Sequence, residues 1–261
     1  MKTLITICAR AGSKGLPGKN TKLLLGRPLI QYTIDIAKHV RASDVVLSTD
    51  IDLDKDKCLD VSHTIRLVRE SYLCQDDTPK LDVIRGAVEE GESRIGVTYD
   101  RVIDLDVTNP CREPHDIDAC LDLCTKGVDS VVSVTRSRRS PFFNMVVNKP
   151  HPQLVGAYST LPAKECCDGI TRRQDTPNVY DINANIYVYN RDWLMGDTNP
   201  LHPITPKSIL YVMGDECGVD IDNEVDFGIV EGLMGRYFGI KKLKKVVTKK
   251  GIYKAGVKVK S

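Results

Sequence analysis

The stretch that most constrains this chain is residues 3–20, TLITICARAGSKGLPGKN. Thr3 to Ala9 is a short apolar, β-prone run, which reads as a buried parallel strand. It stops at Arg10, and the loop that follows carries Gly12, Gly15 and Gly18 together with Ser13, Lys14, Lys19 and Asn20. Glycines let backbone amides approach an anion closely, and Arg and Lys neutralise it. A basic glycine loop at the carboxyl end of a first strand is where an open α/β sheet binds phosphorylated ligands. Two familiar phosphate motifs fail here. A P-loop would need Gly at Ser13 and a hydroxyl residue at Asn20, and the Gly12, Gly15, Gly18 spacing is not that of a dinucleotide fingerprint.

At 261 residues the chain is long enough for one sizeable α/β domain with a proper core. The net charge of +2 hides an asymmetry: residues 241–261 hold nine lysines and no acids, whereas residues 1–240 hold 28 basic against 35 acidic side chains. A body that is net acidic is not built to bind nucleic acid, and the lysine tail reads as a solvated end. No stretch has the length of a membrane span, and the apolar start is too short for a signal peptide. The nine cysteines form no CxxC pair, which suits idle thiols in a reducing cytoplasm; the five histidines lack zinc-ligand spacing.

Beyond the loop, strands and helices alternate. Pro28 precedes a helical stripe at residues 29–40; strands are expected at 44–48, 64–68, 101–107 and 129–135. Between them lie a short helix after Asp50, a helix capped by Thr78 with Pro79 at its first position, and a helix from Pro114. Such alternation implies a single doubly wound, mostly parallel sheet. The alternation breaks from about 136 to 178, where basic residues, prolines and a β-prone stretch at 142–147 suggest an insertion with hairpin character. Strands resume at 184–189 and 208–213, and a closing helix at 223–237 is expected to bury Ile229, Val230, Leu233, Met234 and Tyr237. A body of residues 1–240 followed by the tail is the expected organisation.

Two acidic clusters stand out. In Val219-Asp220-Ile221-Asp222-Asn223-Glu224, strand-like alternation puts Asp220 and Asp222 on one face with Ile221 toward the core. Two adjacent carboxylates suit Mg²⁺, which takes one or two of them plus phosphate oxygens and water. Acids decorating a helix start would look the same. Asp104 and Asp106 sit two apart on an otherwise buried strand, so at least one needs a charged or hydrogen-bonding partner. Farther on, Arg172, Arg173 and Gln174 precede Asn183 and Asn185, a set of forks and amides fit for a carboxylate.

The loop from Ala9 to Asn20 resembles the signature loop of the CMP-sialic acid synthetases, a family that extends to legionaminate and related nine-carbon acidic sugars. The resemblance covers residues 3 to about 235 and implies a Rossmann-like, GT-A-like nucleotidyltransferase fold. It makes Arg10, Ala11, Gly12, Ser13, Lys14, Lys19, Asn20 and Arg69 nucleotide-binding residues. It makes Asp220 and Asp222 the divalent-cation ligands, with Arg10, Lys19 and Asp222 serving catalysis. It places Asp106, Arg173, Gln174 and Asn183 at the sugar. The insertion at 136–178 would reach a second subunit, giving a homodimer. Asp106 stands where sialic-acid members have Gln, although CMP-Kdo synthetases place a metal-binding Asp nearby; Ser140-Pro141-Phe142-Phe143-Asn144 replaces a His-Pro-Leu-Lys run. Both departures resemble the legionaminate branch. The implied reaction is CMP transfer from CTP to the anomeric hydroxyl of a nonulosonate, releasing pyrophosphate. N-acetylneuraminate, pseudaminate or Kdo-type acceptors, a glycosyltransferase of related fold and a non-catalytic sensor remain alternatives.

Overall fold

The computed structural model describes residues 1–52, 59–75, 77–150, 158–162, 170, 172–196 and 200–241. The strands are β1 (Thr3–Ala9), β2 (Leu23–Leu24), β3 (Arg27–Pro28), β4 (Asp44–Thr49), β5 (Ile65–Val68), β6 (Arg101–Leu105), β7 (Ser130–Arg136), β8 (Val146–Pro150), β9 (Tyr158–Pro162), β10 (Tyr180–Asn190) and β11 (Ile209–Val212). The α-helices are α1 (Leu29–Ala37), α2 (Lys80–Ile95), α3 (Pro114–Leu123), α4 (Arg191–Leu194) and α5 (Glu224–Arg236).

Seven strands form one sheet in the order β11-β7-β10-β6-β1-β4-β5. Every pairing in it is parallel except those of β10, which runs antiparallel between β6 and β7. β1 is the centre, with β4 on one side and β6 on the other. Its period-two alternation feeds both faces: Ile5, Ile7 and Ala9 join one core and Leu4 the other. Helices α1, α3 and α5 pack on the first face through Leu29, Ile34, Ile117, Phe227 and Val230. On the second face α2 and α4 bring Leu81, Ile84, Val88 and Leu194. The sheet is thus doubly wound and mostly parallel, as its sequence implies. Because the chain leaves β1 toward β4 and returns past it to β6, the crevice at the carboxyl end of β1 is the switch point where α/β sheets take ligands.

Local chemistry fixes the helix ends that border this crevice. Asn223 caps α5 in a reciprocal box with Asp226, and Glu113 does the same for α3 with Asp116, just ahead of Pro114. Helix α2 departs from expectation: it starts at Lys80, and Thr78 does not cap it. The Thr78 hydroxyl instead donates to the Tyr72 carbonyl at 3.0 Å, closing the preceding turn. In α5 the inward stripe is Phe227, Val230 and Met234; Ile229 (45% exposed) faces outward, because a 3.6-residue period puts it off that stripe, and Tyr237 (57%) is exposed at the C-cap, past the last helical residue.

The insertion does contain a hairpin: β8 and β9 pair antiparallel from Val146↔Pro162 to Pro150↔Tyr158. The expected short helix after Asp50 falls largely at residues 53–58, and the tail at 242–261; both lie outside the described residues. The six cysteines of the described residues are free, four of them buried. Among the described residues no helix is long and apolar enough to cross a membrane.

Candidate nucleotide-transfer site

The glycine loop leaves β1 at buried Ala9 and is tied down at both ends. The Ala11 amide donates to Asp50 Oδ1 at 2.7 Å, and Asn20 Nδ2 donates back to the Arg10 carbonyl at 2.9 Å. Leu16 is buried and pins the middle of the loop to the core. Gly18 turns the chain at φ 67°, a left-handed conformation natural to glycine, into the short turn Lys19–Thr21.

The loop docks on the acidic segment 202 residues later. Lys19 Nζ donates to the Ile221 carbonyl at 2.6 Å and lies 3.3 Å from Asp222 Oδ1. Gly15 packs so closely that a Cβ there would sit 2.2 Å from the Asp222 carbonyl oxygen. From the other side, the Ile221 amide donates to the Thr108 carbonyl at 3.0 Å, fastening the segment to the turn after β6. Ile221 is fully buried, as the alternation predicts. Asp222 is exposed, whereas Asp220 is largely enclosed, and its Oδ1 is buried without a hydrogen-bond partner. Burial, then Asp106 and Asp222 nearby, push the Asp220 carboxyl up to about 6, against the Thr108 hydroxyl and Lys19. Glu224 and Asp226 do other work: Glu224 pairs with Lys22, and Asp226 accepts from the Asp222 and Asn223 amides.

A divalent cation fits this pair. An orphaned buried carboxylate oxygen and a raised carboxyl beside a second acid are what a hard cation would relieve. Among the described residues no group of three or more His, Cys, Asp or Glu forms a closed metal cage. Two carboxylates leave the remaining positions to phosphate oxygens and water, as Mg²⁺ prefers.

The second acidic pair is bridged by a residue that sequence reasoning missed. Lys80 Nζ lies 2.6 Å from Asp106 Oδ2 and 3.1 Å from Asp104 Oδ2, and 4.4 Å above the Tyr187 ring. Asp104 is buried and also accepts from Thr6 Oγ1. Burial alone would raise the Asp106 carboxyl, but Lys80, with the Thr108 amide and hydroxyl, brings it down to about 2. A signal existed: a lysine in the first turn of a helix opposes the helix dipole, so its presence asks for a local acid. Arg112 was missed as well. Its buried guanidinium donates to the carbonyls of Asp106, Asn109 and Asn185, to Asn185 Oδ1 and to Thr33 Oγ1, locking the turn after β6 to β10. Burial lowers its pKa to about 10, with Asp106 and Asp104 opposing.

A cavity of about 320 Å³ opens between these parts, walled by Arg10, Gly12, Ser13, Lys19 and Asn20 on the loop and by Arg69, Lys80, Asp106 and Thr108 opposite. Arg69 is buried and held by Ser48, its Nη2 donating to the Ser48 carbonyl at 2.9 Å. Ala11 and Lys14 sit on the exposed crest of the loop. The expected sugar residues do not all converge here. Arg173 and Gln174 line a second cavity of about 480 Å³ with Arg136 and Arg139. Asn183 is buried; its Oδ1 accepts from Ser133 and its Nδ2 faces the Met213 sulfur, so it holds the bulge of β10.

A parallel switch-point sheet carrying a basic glycine loop and a facing acid pair defines a nucleotidyltransferase-type site. Residues 4–153 match the cytidylyltransferase family, and the chain belongs to that family of CTP-using transferases. It is 33% identical over 233 residues, 88% of this chain and 94% of the relative, to the CMP-N,N'-diacetyllegionaminic acid synthase of Campylobacter jejuni. Over the same shares it is 32% identical to the post-translational flagellin modification protein B of Campylobacter coli. It is 29% identical to an N-acylneuraminate cytidylyltransferase of Streptococcus agalactiae, over 96% of this chain and 58% of that protein. The fold is also that of CMP:2-keto-3-deoxy-manno-octonic acid synthetase complexed with CTP, at a TM-score of 0.62 and 19% identity, over 90% of this chain and 99% of that one.

Proposed function

We propose that this chain transfers CMP from CTP to the anomeric hydroxyl of an acidic nine-carbon sugar of the legionaminate type. The anomeric oxygen attacks the α-phosphorus in line, the bond from that phosphorus to the α,β-bridging oxygen breaks, and pyrophosphate leaves. The observation that carries this reading is the contact of Lys19, which lines the cavity, with the Ile221–Asp222 segment, because it joins a cationic glycine loop to the carboxylate pair. The sequence relatives named for legionaminate and neuraminate synthesis support the substrate class.

Transfer of a phosphoryl-type group asks the protein mainly for positioning and charge neutralisation. Arg10, Lys14 and Lys19 would neutralise the triphosphate, with Ala11, Gly12, Ser13 and Asn20 shaping the loop around it and Arg69 at the nucleoside end. Asp220 and Asp222 would hold Mg²⁺, which supplies charge stabilisation at the reacting phosphate. Asp222 is the exposed carboxylate of the pair and the candidate to accept the hydroxyl proton. Asp106 faces the acceptor, and Asn183 keeps the strand beside it in place. Arg173 and Gln174, in the separate cavity, would meet a sugar carboxylate across a homodimer interface formed by the 136–178 insertion. The reaction belongs in the cytoplasm, where CTP is made.

Pyrophosphate release from CTP with legionaminate, N-acetylneuraminate and pseudaminate tests the reading. Highest kcat/KM for legionaminate is expected. Equal or better use of N-acetylneuraminate would overturn the branch, and no release with any of them the reaction.

A further inference from the structure

Among the described residues Lys80 joins both carboxylates at the end of β6, Asp104 within the strand and Asp106 just after it, and also lines the transfer cavity. Its ammonium hydrogen-bonds Asp106 and lies 3.1 Å from Asp104 Oδ2 as an ion pair, and its side chain remains 40% exposed. Asp106 is held from two sides, by Lys80 at Oδ2 and by the Thr108 amide and hydroxyl at Oδ1. A carboxylate fixed in this way has its remaining lone pairs aimed along one direction only. The pair has no net charge, yet offers a strong acceptor and a strong donor side by side. Thr108, which donates to Asp106, also accepts from the Ile221 amide through its carbonyl at 3.0 Å, so the pair sits beside the acidic segment.

Resting on the cytidylyl-transfer reading above, we infer that Lys80 is a positioning and specificity residue: it turns the Asp106 carboxylate toward the acceptor sugar, where the pair binds hydroxyl or amide groups of that sugar. The location selects the acceptor over CTP. The triphosphate is met by the cationic loop on the facing wall, and a carboxylate presented to that polyanion would repel it. A sugar bearing hydroxyl and acylamino groups brings N–H and O–H donors, which Asp106 accepts, and carbonyl oxygens, which Lys80 can meet. A site built to hydrogen-bond a ligand loses strongly when one partner goes, since the other is left buried and unpaired.

Lys80→Met alone leaves Asp104 buried beside no cation, and the fold could suffer. Lys80→Met/Asp104→Asn removes that conflict while still freeing Asp106. Steady-state pyrophosphate release then gives separate KM values for sugar and CTP. In the double variant the sugar KM should rise about tenfold or more while the CTP KM stays within about twofold, and Lys80→Arg should recover most of the loss. Asp106→Asn should raise the sugar KM similarly, and adding Lys80→Met to it should change little more, as expected for residues acting as a unit. An unchanged sugar KM in the double variant, an equal rise in the CTP KM, or full additivity with Asp106→Asn would overturn the inference. Failure of the wild type to release pyrophosphate from CTP with any of the sugars is a different result, and it removes the transfer reading itself.

Discussion

Lys19 Nζ donates to the Ile221 carbonyl at 2.6 Å, a contact that spans 202 residues and fastens the glycine loop to the acidic segment. The same ammonium lies 3.3 Å from Asp222, so one cation serves both as a brace and as charge beside the acid pair. Lys19→Met keeps the aliphatic stem and removes both roles. A loss of about 10²–10³ in kcat is expected, by the scale of lost charge-stabilising donors. Stopped assays of pyrophosphate release check it. A kcat within about threefold of wild type would deny Lys19 a part in the chemistry.

Gly15 tests the same brace by shape. Any Cβ at this position meets the Asp222 carbonyl oxygen at 2.2 Å, well inside contact distance, and backbone cannot yield as a side chain tip can. Gly15→Ala should therefore part the loop from the acidic segment. Because the strain falls on a surface loop, melting should drop by only about 2–4 °C, on the order of 1 kcal/mol. Activity should drop far more than stability does, and calorimetry beside turnover measures both.

The fold was legible because the apolar runs of β1 and β4 alternate with the helical stripe of α1 and the Pro114 start of α3, and the glycine loop marks the switch point. The loop and the 220–222 pair were legible for the same reason: glycines, cations and alternating acids are local patterns. Lys80 and Arg112 were not, since their roles consist of partners distant in sequence: Asp106 is 26 residues from Lys80, and Asn185 is 73 from Arg112. Arg173, Gln174 and Asn183 show the converse. Their neighbourhood in sequence suggested a shared site, but β10 runs antiparallel and bulges, burying Asn183 while Arg173 and Gln174 line another cavity.

That bulge carries its own prediction. Ala184 adopts φ 48°, a left-handed conformation costly for a residue with a Cβ, between the buried Asn183 and Asn185. Left-handed backbone costs an L-residue about 1–2 kcal/mol, and Gly gives back about 0.4–1 kcal/mol through the unfolded chain. Ala184→Gly should thus stabilise the protein by up to about 1 kcal/mol, raising Tm by about 2–4 °C. An unchanged or lower Tm would show that the bulge is relaxed by its neighbours.

Alkaline stability should depend on Tyr211. Its phenol donates to Asp116 Oδ1 at 3.0 Å, and burial, followed by the nearby Asp116 charge, pushes its pKa up to about 12 from 10.0. A folded pKa above the unfolded one means stability fully present below pH 10 and lost as pH rises through 12. Tyr211→Phe removes this dependence, so its Tm should fall less steeply than the wild type's over that range. Parallel slopes for the two proteins would contradict it.

Asp220 should separate stability from turnover. In the metal-free protein its enclosed carboxylate has an orphaned Oδ1, and burial with two nearby acids disfavours its charge at neutral pH. Asp220→Asn removes that charge at nearly constant shape, so the metal-free variant should melt at or above the wild-type temperature at pH 7. If Asp220 and Asp222 hold the cation, the same change should lower turnover by orders of magnitude and abolish the rise in Tm that Mg²⁺ gives the wild type. Asp222→Asn should share the loss of turnover, but its exposed side chain makes it nearly neutral for metal-free stability. Differential scanning fluorimetry with and without Mg²⁺, run beside pyrophosphate release, distinguishes the two effects. Full activity of either variant in Mg²⁺ would end the metal assignment, and a destabilised metal-free Asp220→Asn would show that its carboxylate is satisfied by the fold.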